Sequence, residues 1–369
     1  MNTDHRWYTV ISNWKQMVCC FLLGIVVQAG AVLPLGSVLA QDLADPEVKT
    51  VEPEKAKPAA IDQDDVAQPA PQVDVKGPQV VYENSVNTRW KIGAKVRTGS
   101  GRAVDVLMTF PVPANWPEQT VTIAEQDIPV GLGNVTSRKL PAGVEQVVVE
   151  FPVLPANNIF EVSYTLDIVN RAILAPKETQ GFIFPKRNKK EVKPFLAVSK
   201  NVDHNHSKLR NKAKEIIAAH ETAWEKTEAI YDWVRQNIQI EDSQYHSARY
   251  TLKNLSGTNE DKTFLFVALC RSVKIPARIV FAKGSSYAEF MLAGPKGDDL
   301  HWFPCDVSGI REFGGLSEPR LVLQKGDGIR VPEKKKAQKY VAEFMSCKGN
   351  SKPRVGFFRA EIFEDQPQP

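Results

Sequence analysis

Apolar and polar positions follow two different rhythms along the chain, and the change between them divides it. From Val80 to about Ala175 the apolar residues form short alternating runs, such as Val104 to Phe110. These runs are rich in β-branched and aromatic side chains and are separated by turns containing proline and glycine. No helical period appears among them. The pattern predicts a small antiparallel β-sandwich over residues 79–176.

After this region the apolar residues take the spacing of helices. One helix is predicted over Ser207 to His220. A second follows Thr222, because Thr222 and Glu225 have the spacing of a capping box. A third begins near Asn259, and Pro276 is expected to end it. Strand-like segments follow at residues 277–282, 288–292, 302–305 and 354–363.

The amino terminus has the layout of a secretory signal peptide. Arg6 and Lys15 precede an apolar stretch, and Ala40 closes a segment with small or apolar residues at the −3 and −1 positions. A retained membrane anchor is the alternative, but the apolar run is broken by Gln28 and Pro34 and is short for a spanning helix. We therefore expect cleavage after Ala40, with residues 1–40 removed, no membrane span in the mature protein, and a secreted or periplasmic location.

Residues 41–78 are predicted to be a linker. They contain six prolines and almost no aromatic residues, and residues 41–79 hold nine acids against four bases. Such a segment cannot bury enough apolar surface to offset the conformational entropy that it would lose on ordering. We expect it to separate the globular part of the protein from its amino end.

The overall composition is that of a globular protein with about two domains. Of its 369 residues, 43% are hydrophobic and 24% are charged, and the formal net charge is +4. A mild positive excess spread over so many residues does not indicate nucleic-acid binding. The basic run Lys334 to Lys336 is most simply a solvated loop. We predict no nucleic-acid partner.

Several sequence pieces in the second half resemble the transglutaminase-like superfamily. In chain order they are Ala-Ile-Tyr-Asp-Trp-Val-Arg-Gln-Asn-Ile (229–238), Gly-Thr-Asn-Glu-Asp-Lys (257–262), Ala-Leu-Cys-Arg-Ser-Val-Lys-Ile-Pro-Ala-Arg (268–278), Ala-Glu-Phe (288–290) and His-Trp-Phe-Pro-Cys-Asp (301–306). The Ile-Pro-Ala-Arg and Trp-x-Pro-x-Asp pieces occur in the family order and spacing. The resemblance covers about residues 207–330.

This resemblance implies an α+β fold in which a papain/transglutaminase-like core is preceded by the β-sandwich. The core domain is expected over residues 195–330, followed by a basic segment with a terminal strand over residues 331–369. The β-rich region is also similar to the amino-terminal domain of some bacterial secreted members of the family.

The family chemistry requires three groups in contact. A cysteine stands at a helix amino end, where the helix dipole lowers its pKa and favours the thiolate. A histidine on a following strand accepts the thiol proton and later protonates the leaving amine, and an aspartate orients the imidazole ring.

Alignment of the motifs shows that two of these three groups are replaced. Asn259 stands where the family has its cysteine, and a carboxamide offers no nucleophile. Ser285 stands at the histidine position, where a hydroxyl cannot act as a base near neutral pH. Only Asp306 is retained. The resemblance therefore implies the fold of the family without its working triad.

Other residues do not provide a substitute triad. Cys270 is predicted to lie about 16 Å along the helix from Asn259, as a buried core thiol. His301 and Cys305 are about 13 Å apart on a strand, too far to form a dyad. His204 and His206 have a spacing compatible with zinc, but no further ligand is evident and the segment resembles an ordinary helix cap. We predict no metal and no cofactor.

Two hypotheses remain open. In the first, the protein is a pseudoenzyme that serves as a structural module or whose degenerate cleft binds a protein, a peptide or cell-envelope material. In the second, it is an acyl-transfer or amide-hydrolysing enzyme of altered chemistry that recruits Thr258, Ser285 or a group from outside the cleft. The sequence gives no indication of the oligomeric state. The residues predicted to line the cleft are Thr258, Asp261, Tyr287 and Trp302.

Overall fold

The structure is a computed structural model that describes residues 80–131, 133–242, 244–349 and 351–363. The predicted signal peptide (1–40) and the whole of the predicted linker (41–78) precede these residues and lie outside them. The described part contains both helices and strands, arranged in several largely antiparallel sheets. None of the helices in this part is both long and apolar enough to cross a membrane.

The described chain begins with strands, continues mainly with helices and ends with strands. The first strands are β1 (Val81–Arg97), β2 (Ala103–Val112), β3 (Gln119–Asp127), β4 (Asn134–Lys139), β5 (Glu145–Leu154) and β6 (Ile159–Leu174). The middle of the chain contains α1 (Ser207–Ile217), α2 (Ala223–Asn237), β7 (Gln239–Ile240), α3 (Ala248–Asn254), β8 (Ser256–Gly257) and α4 (Asn259–Ser272). The last strands are β9 (Ala277–Ala282), β10 (Ser285–Ala293), β11 (Leu300–Asp306), β12 (Glu312–Phe313), β13 (Val322–Lys325), β14 (Phe344–Lys348) and β15 (Arg354–Ile362).

Two four-stranded antiparallel sheets contain the strands of the first region. Their orders are β15-β1-β6-β3 and β14-β2-β5-β4. Alternate side chains of both sheets, among them Ile92, Met108, Val149 and Leu166, belong to one buried cluster. The predicted terminal strand is confirmed as β15, but β14 was not predicted. Both strands return from the end of the described chain to pair with β1 and β2.

A five-stranded antiparallel sheet carries the second region, in the order β12-β11-β10-β9-β13. Helix α4 packs against β9 and β10, and every residue from Asp261 to Ser272 is buried. A helix that is buried all round needs cover on every side. The sheet covers one side, and α1, α2 and α3 contact the rest.

The predicted helices are present, with corrections at their ends. α1 ends at Ile217 rather than His220, and α4 ends at Ser272 rather than at Pro276. The chain leaves the helix earlier because Lys274 adopts a left-handed φ of 71°, and the residue before a proline also disfavours helical angles. Helix α3 was not predicted. It has only seven residues, too few for a clear apolar period.

Trp224 of α2 lies at the centre of an aromatic cluster between the helices and the five-stranded sheet. Its ring centroid lies 5.9 Å from that of Phe182, 5.7 Å from Phe290, 5.2 Å from Phe303 and 5.1 Å from Phe313. Most of these pairs have the edge-to-face geometry that aromatic quadrupoles favour. The cluster therefore fixes α2 against the sheet.

Gly314 provides a test of this packing. Its φ is +78°, and a Cβ at this position would lie 2.5 Å from Trp224 Cη2. We expect Gly314→Ala to lower the free energy of unfolding by about 2 kcal/mol or more, since backbone strain adds to the clash. Denaturant unfolding measures this loss. Gly284→Ala is the control, because Gly284 has a φ of +73° and open space around its Cβ position. Equal losses for the two variants would contradict tight packing against Trp224.

Candidate functional site

The amino end of α4 is built by a capping box. Thr258 Oγ1 accepts a hydrogen bond from the Asp261 N–H (3.1 Å), and Asp261 Oδ2 accepts one from the Thr258 N–H (3.0 Å). Asp261 Oδ1 also accepts from the His246 N–H at 2.7 Å. Gly257 is required here because a Cβ would lie 2.8 Å from Asp261 Cβ. Thr258 and Asp261 therefore hold the start of the helix, and Asn259 is exposed beside them.

Asp306 ends β11 in an ion pair with Arg320. The distance from Asp306 Oδ2 to Arg320 Nη1 is 2.7 Å. Its other oxygen accepts from the backbone N–H groups of Ser308 (2.8 Å) and Gly309 (3.3 Å). Arg320 Nη2 lies 2.9 Å from Glu312 Oε2. Both Asp306 oxygens therefore have partners, and the charged partner is a guanidinium.

Strand periodicity places Ser285 and Tyr287 on the same side of β10. Ala288 and Phe290 belong to the cluster under α4, whereas Tyr287 belongs to a separate cluster with Val280 and other residues. Tyr287 is buried, and Ser285 at the start of the strand is exposed. Within the described residues no side-chain hydrogen bond joins Ser285 to a histidine, lysine or carboxylate.

Arg320 connects two of the predicted site residues. Besides its ion pair with Asp306, its guanidinium carbon lies 5.6 Å from the centroid of the Tyr287 ring. A second link runs from α4 to Asp306, since Lys262 Nζ donates to the Arg235 carbonyl (3.4 Å) and Arg235 donates to the Asp306 carbonyl (3.2 Å). The structure thus brings the start of α4 near Asp306. In the described part of the chain no hydrogen bond or ion pair joins Asn259 or Ser285 to that carboxylate.

Two residues of the family-like motifs form a buried charge network. Arg278 Nη2 lies 2.6 Å from Glu289 Oε2, and Lys325 Nζ lies 2.6 Å from both Glu289 Oε1 and Glu118 Oε1. Burial alone would raise the pKa of Glu289, but Arg278 and Lys325 outweigh burial and hold this pKa below its usual range. These motif residues therefore stabilise the scaffold.

Removal of the Glu289 charge tests this network. We expect Glu289→Gln to lower the free energy of unfolding by about 3–5 kcal/mol, because the buried Arg278 would lose the carboxylate that it pairs with, whereas Lys325 would keep Glu118. Chemical denaturation at neutral pH measures the effect. Glu215→Gln is the matched control, since Glu215 pairs with Lys212 on the surface of α1 (2.7 Å) and should contribute less than about 1 kcal/mol. Similar losses in both variants would rule out a structural role for the network.

Trp302 lies apart from the positions of the triad. Its ring centroid is 3.9 Å from the guanidinium carbon of Arg278. Together with Tyr82 and Trp116, it lines a cavity of about 510 Å³ that none of the three triad positions line. The predicted cleft residues are therefore divided between the helix cap, a buried cluster and this cavity.

The remaining cysteine and histidine candidates are buried to different degrees. Cys270 and Cys305 are fully buried, and burial raises the pKa of both thiols well above the usual value. The predicted burial of Cys270 is confirmed. His301 is half-buried, and burial lowers its pKa. Neither cysteine has the electropositive, accessible setting of a reactive thiolate.

His204 and His206 occupy different environments. His206 is the N-cap of α1, and its Nδ1 accepts from the Lys208 N–H at 3.3 Å. His204 is buried, and its desolvation, followed by the charge of Arg271, lowers its pKa to about 4. Among the described residues no group of three or more histidine, cysteine, aspartate or glutamate side chains is placed to hold a metal ion.

His204 should make stability depend on pH. Its pKa falls from 6.5 to about 4 on folding, so the unfolded state binds the proton more readily and stability is lost as the pH falls below 6.5. We expect a loss of about 2 kcal/mol between pH 7 and pH 5 from this group. Unfolding free energies at both pH values, compared with those of His204→Gln, measure it. An unchanged pH slope in the variant would exclude His204 as the cause.

The sequence analysis did not identify the cations that pair with Asp306 and Glu289. Arg320 lies in the segment Ser-Glu-Pro-Arg and Lys325 lies in β13, and neither position has a motif or spacing that points to Asp306 or Glu289. Charge counting shows that cations are present. It does not show which carboxylate each of them meets.

Comparison with protein families identifies one segment. Residues 210–307 match the model of the transglutaminase-like superfamily. This match confirms, over those residues, the resemblance drawn from the motifs. A comparison with curated proteins finds no match.

Two solved structures show distant similarity. One is a putative cysteine protease from Cytophaga hutchinsonii, with 18% identity and a TM-score of 0.49 over 78% of this chain and 94% of that chain. The other is a putative protease from Parabacteroides distasonis, with 12% identity and a TM-score of 0.24 over 63% of this chain and 48% of that chain. Likenesses this distant say nothing about the chemistry of the site.

Proposed function

Since residues 210–307 belong with the transglutaminase-like superfamily, we propose that the protein is an exported, catalytically inactive member that serves as a binding or structural module. Its ligand is a protein, a peptide or cell-envelope material. One observation carries the proposal. The carboxylate expected to orient a histidine, that of Asp306, is instead paired with Arg320 at 2.7 Å.

The chemistry of acyl transfer explains why this pairing matters. The reaction needs a nucleophile and a neighbouring group that accepts its proton. Arginine remains protonated and has no acceptor atom, so Arg320 stabilises Asp306 without taking part in proton transfer. Asn259 supplies no nucleophile, and among the residues that the structure describes no base is hydrogen-bonded to the exposed Ser285.

The alternative enzyme of altered chemistry has less support. Its candidate hydroxyl on Thr258 accepts a backbone hydrogen bond in the cap of α4. Asp261 is the carboxylate beside this hydroxyl. It already accepts hydrogen bonds from the backbone N–H groups of Thr258 and His246. The groups at the helix start are therefore used for folding.

The domain organisation follows the same proposal. Residues 79–176 form a β-sandwich, supported by the two four-stranded sheets that share one buried cluster. Residues 195–330 form the papain/transglutaminase-like core. Residues 331–369 contribute β14 and β15, which pair with β2 and β1. Export rests on the signal-like segment 1–40, which lies outside the described residues.

An activity assay tests the proposal directly. We expect the purified mature chain to show no hydrolysis or transamidation of glutamine-containing peptides above a buffer blank, because the site lacks a nucleophile and a base. Mass spectrometry of the intact chain should show no acyl adduct. Turnover that is abolished by Asp306→Asn would overturn the proposal, since a contaminating enzyme would not respond to that substitution.

A gain-of-function pair sharpens the test. Cys347 is a partly exposed free cysteine, unlike the buried Cys270 and Cys305, and is therefore first replaced by serine. In this Cys347→Ser background, Asn259→Cys should introduce a thiol whose alkylation pKa lies below that of an ordinary cysteine, because it stands in the first turn of α4. Adding Ser285→His should lower this pKa further if the family geometry is preserved. An ordinary thiol pKa in both variants would show that positions 259 and 285 do not form the degenerate site.

A further inference from the structure

A cationic cavity lies beside the loop that leads into α3. Its volume is about 900 Å³. Four of its wall residues are cations, namely Lys200, Lys208, Arg249 and Lys253, and none of the described wall residues is an acid. Of these four cations, Arg249 alone has an acidic partner among the described residues, and that partner is Asp203 at 3.8 Å. Such a concentration of cations attracts a polyanion and repels other cations.

A second cavity of about 800 Å³ continues this wall. Lys200, Asn201 and Tyr245 line both cavities, and Arg330, Lys336 and Lys339 line the second. Together we call them the cationic groove. Its one acidic wall residue, Asp327, is nearly buried, accepts from the Ser199 hydroxyl and lies 3.9 Å from Arg271.

Two exposed tyrosines are held in the groove. Tyr245 is 37% exposed and Tyr250 is 44% exposed. The Tyr245 hydroxyl accepts from Asn201 Nδ2 at 2.9 Å, and its ring packs 6.1 Å from that of Phe264 in α4. The Tyr250 ring lies 4.0 Å from that of His246. Ordered aromatic surface of this kind offers apolar contact at little cost in conformational entropy.

The groove lies on a different side of α4 from Asp306. Lys339 of the groove pairs with Glu260, whereas Lys262 leads through Arg235 to Asp306. Residues two apart on a helix point about 200° apart. The groove is therefore separate from the degenerate triad.

We propose that the cationic groove binds an acidic polysaccharide. Lysine and arginine pair with the carboxylate or sulfate groups, and the Tyr250 ring packs against the C–H face of a sugar ring. Tyr245 instead supports the wall, since Lys339 Nζ lies 3.5 Å from the centroid of its ring. This choice of ligand rests on the proposed export, which places the groove among envelope and extracellular polymers. The two cavities share a wall, so the groove suits an extended chain.

Binding of defined polymers to the mature full chain tests this proposal. The probes are polygalacturonate, neutral dextran, polyglutamate and single-stranded DNA, compared by calorimetry at 50 mM and 300 mM salt. We expect polygalacturonate to bind tightest, dextran not to bind, and affinity to fall at least tenfold at the higher salt, since screening weakens exposed charge pairs. Equal or tighter binding of polyglutamate or DNA would overturn the choice of a glycan.

Charge-reversal variants locate the site. Lys200→Glu with Lys208→Glu should weaken polygalacturonate binding at least tenfold. Lys177→Glu with Lys186→Glu is the matched control, because both lysines are exposed and neither lines the groove. Equal effects of the two pairs would show that only net charge matters and would refute the site.

An aromatic variant separates sugar recognition from simple charge attraction. Tyr250→Ala should weaken polygalacturonate binding several-fold and leave the weaker polyglutamate binding unchanged. Equal losses for both polymers would contradict stacking on sugars. These measurements do not involve amide turnover, so the proposed inactivity and the proposed ligand can fail independently.

Discussion

The burial of helix α4 on all sides is the constraint from which the rest of the second region follows. A helix whose residues from Asp261 to Ser272 are all buried exposes apolar surface to water unless other elements surround it. The five-stranded sheet covers one side, and α1, α2 and α3 cover the others. The capping box of Thr258 and Asp261 then fixes where this helix begins. The position of the candidate site is therefore a consequence of packing.

The buried carboxylates of this region are paired with cations. Glu289 meets Arg278 and Lys325, and Asp306 meets Arg320. A buried carboxylate without a cation would be costly. In the transglutaminase-like arrangement an imidazole adjoins the aspartate, whereas here a guanidinium neutralises it. Arginine satisfies the electrostatic requirement permanently, and for the same reason it cannot exchange a proton.

The surface around the helix start has a different character from the site itself. Asp306 lies where opposite charges are matched, whereas the cationic groove leaves most of its lysines without acidic partners in the described chain. A matched network contributes to folding, and an unmatched one increases repulsion within the protein. An anionic ligand would relieve that repulsion.

Several local elements and the positions of the candidate site could be predicted without the fold. Apolar periodicity and capping boxes indicated α2, the start of α4 and the strands β9 to β11, because these signals lie within a few residues of one another. The motif spacing placed Asn259 and Ser285 where a nucleophile and a base would stand. Helix α3 escaped because seven residues are too few to establish a period.

The contacts between residues far apart in the chain became visible in the fold alone. The pairing of β14 and β15 with β2 and β1, the contact of Arg320 with Asp306, and the joining of Lys200 with Lys336 in one groove all connect segments far apart in the chain. A salt bridge or a strand pair depends on proximity in space, and no local pattern encodes its partner. The motif alignment names Asn259, Ser285 and Asp306 as the candidate site positions, and the fold shows that the partner of Asp306 is Arg320.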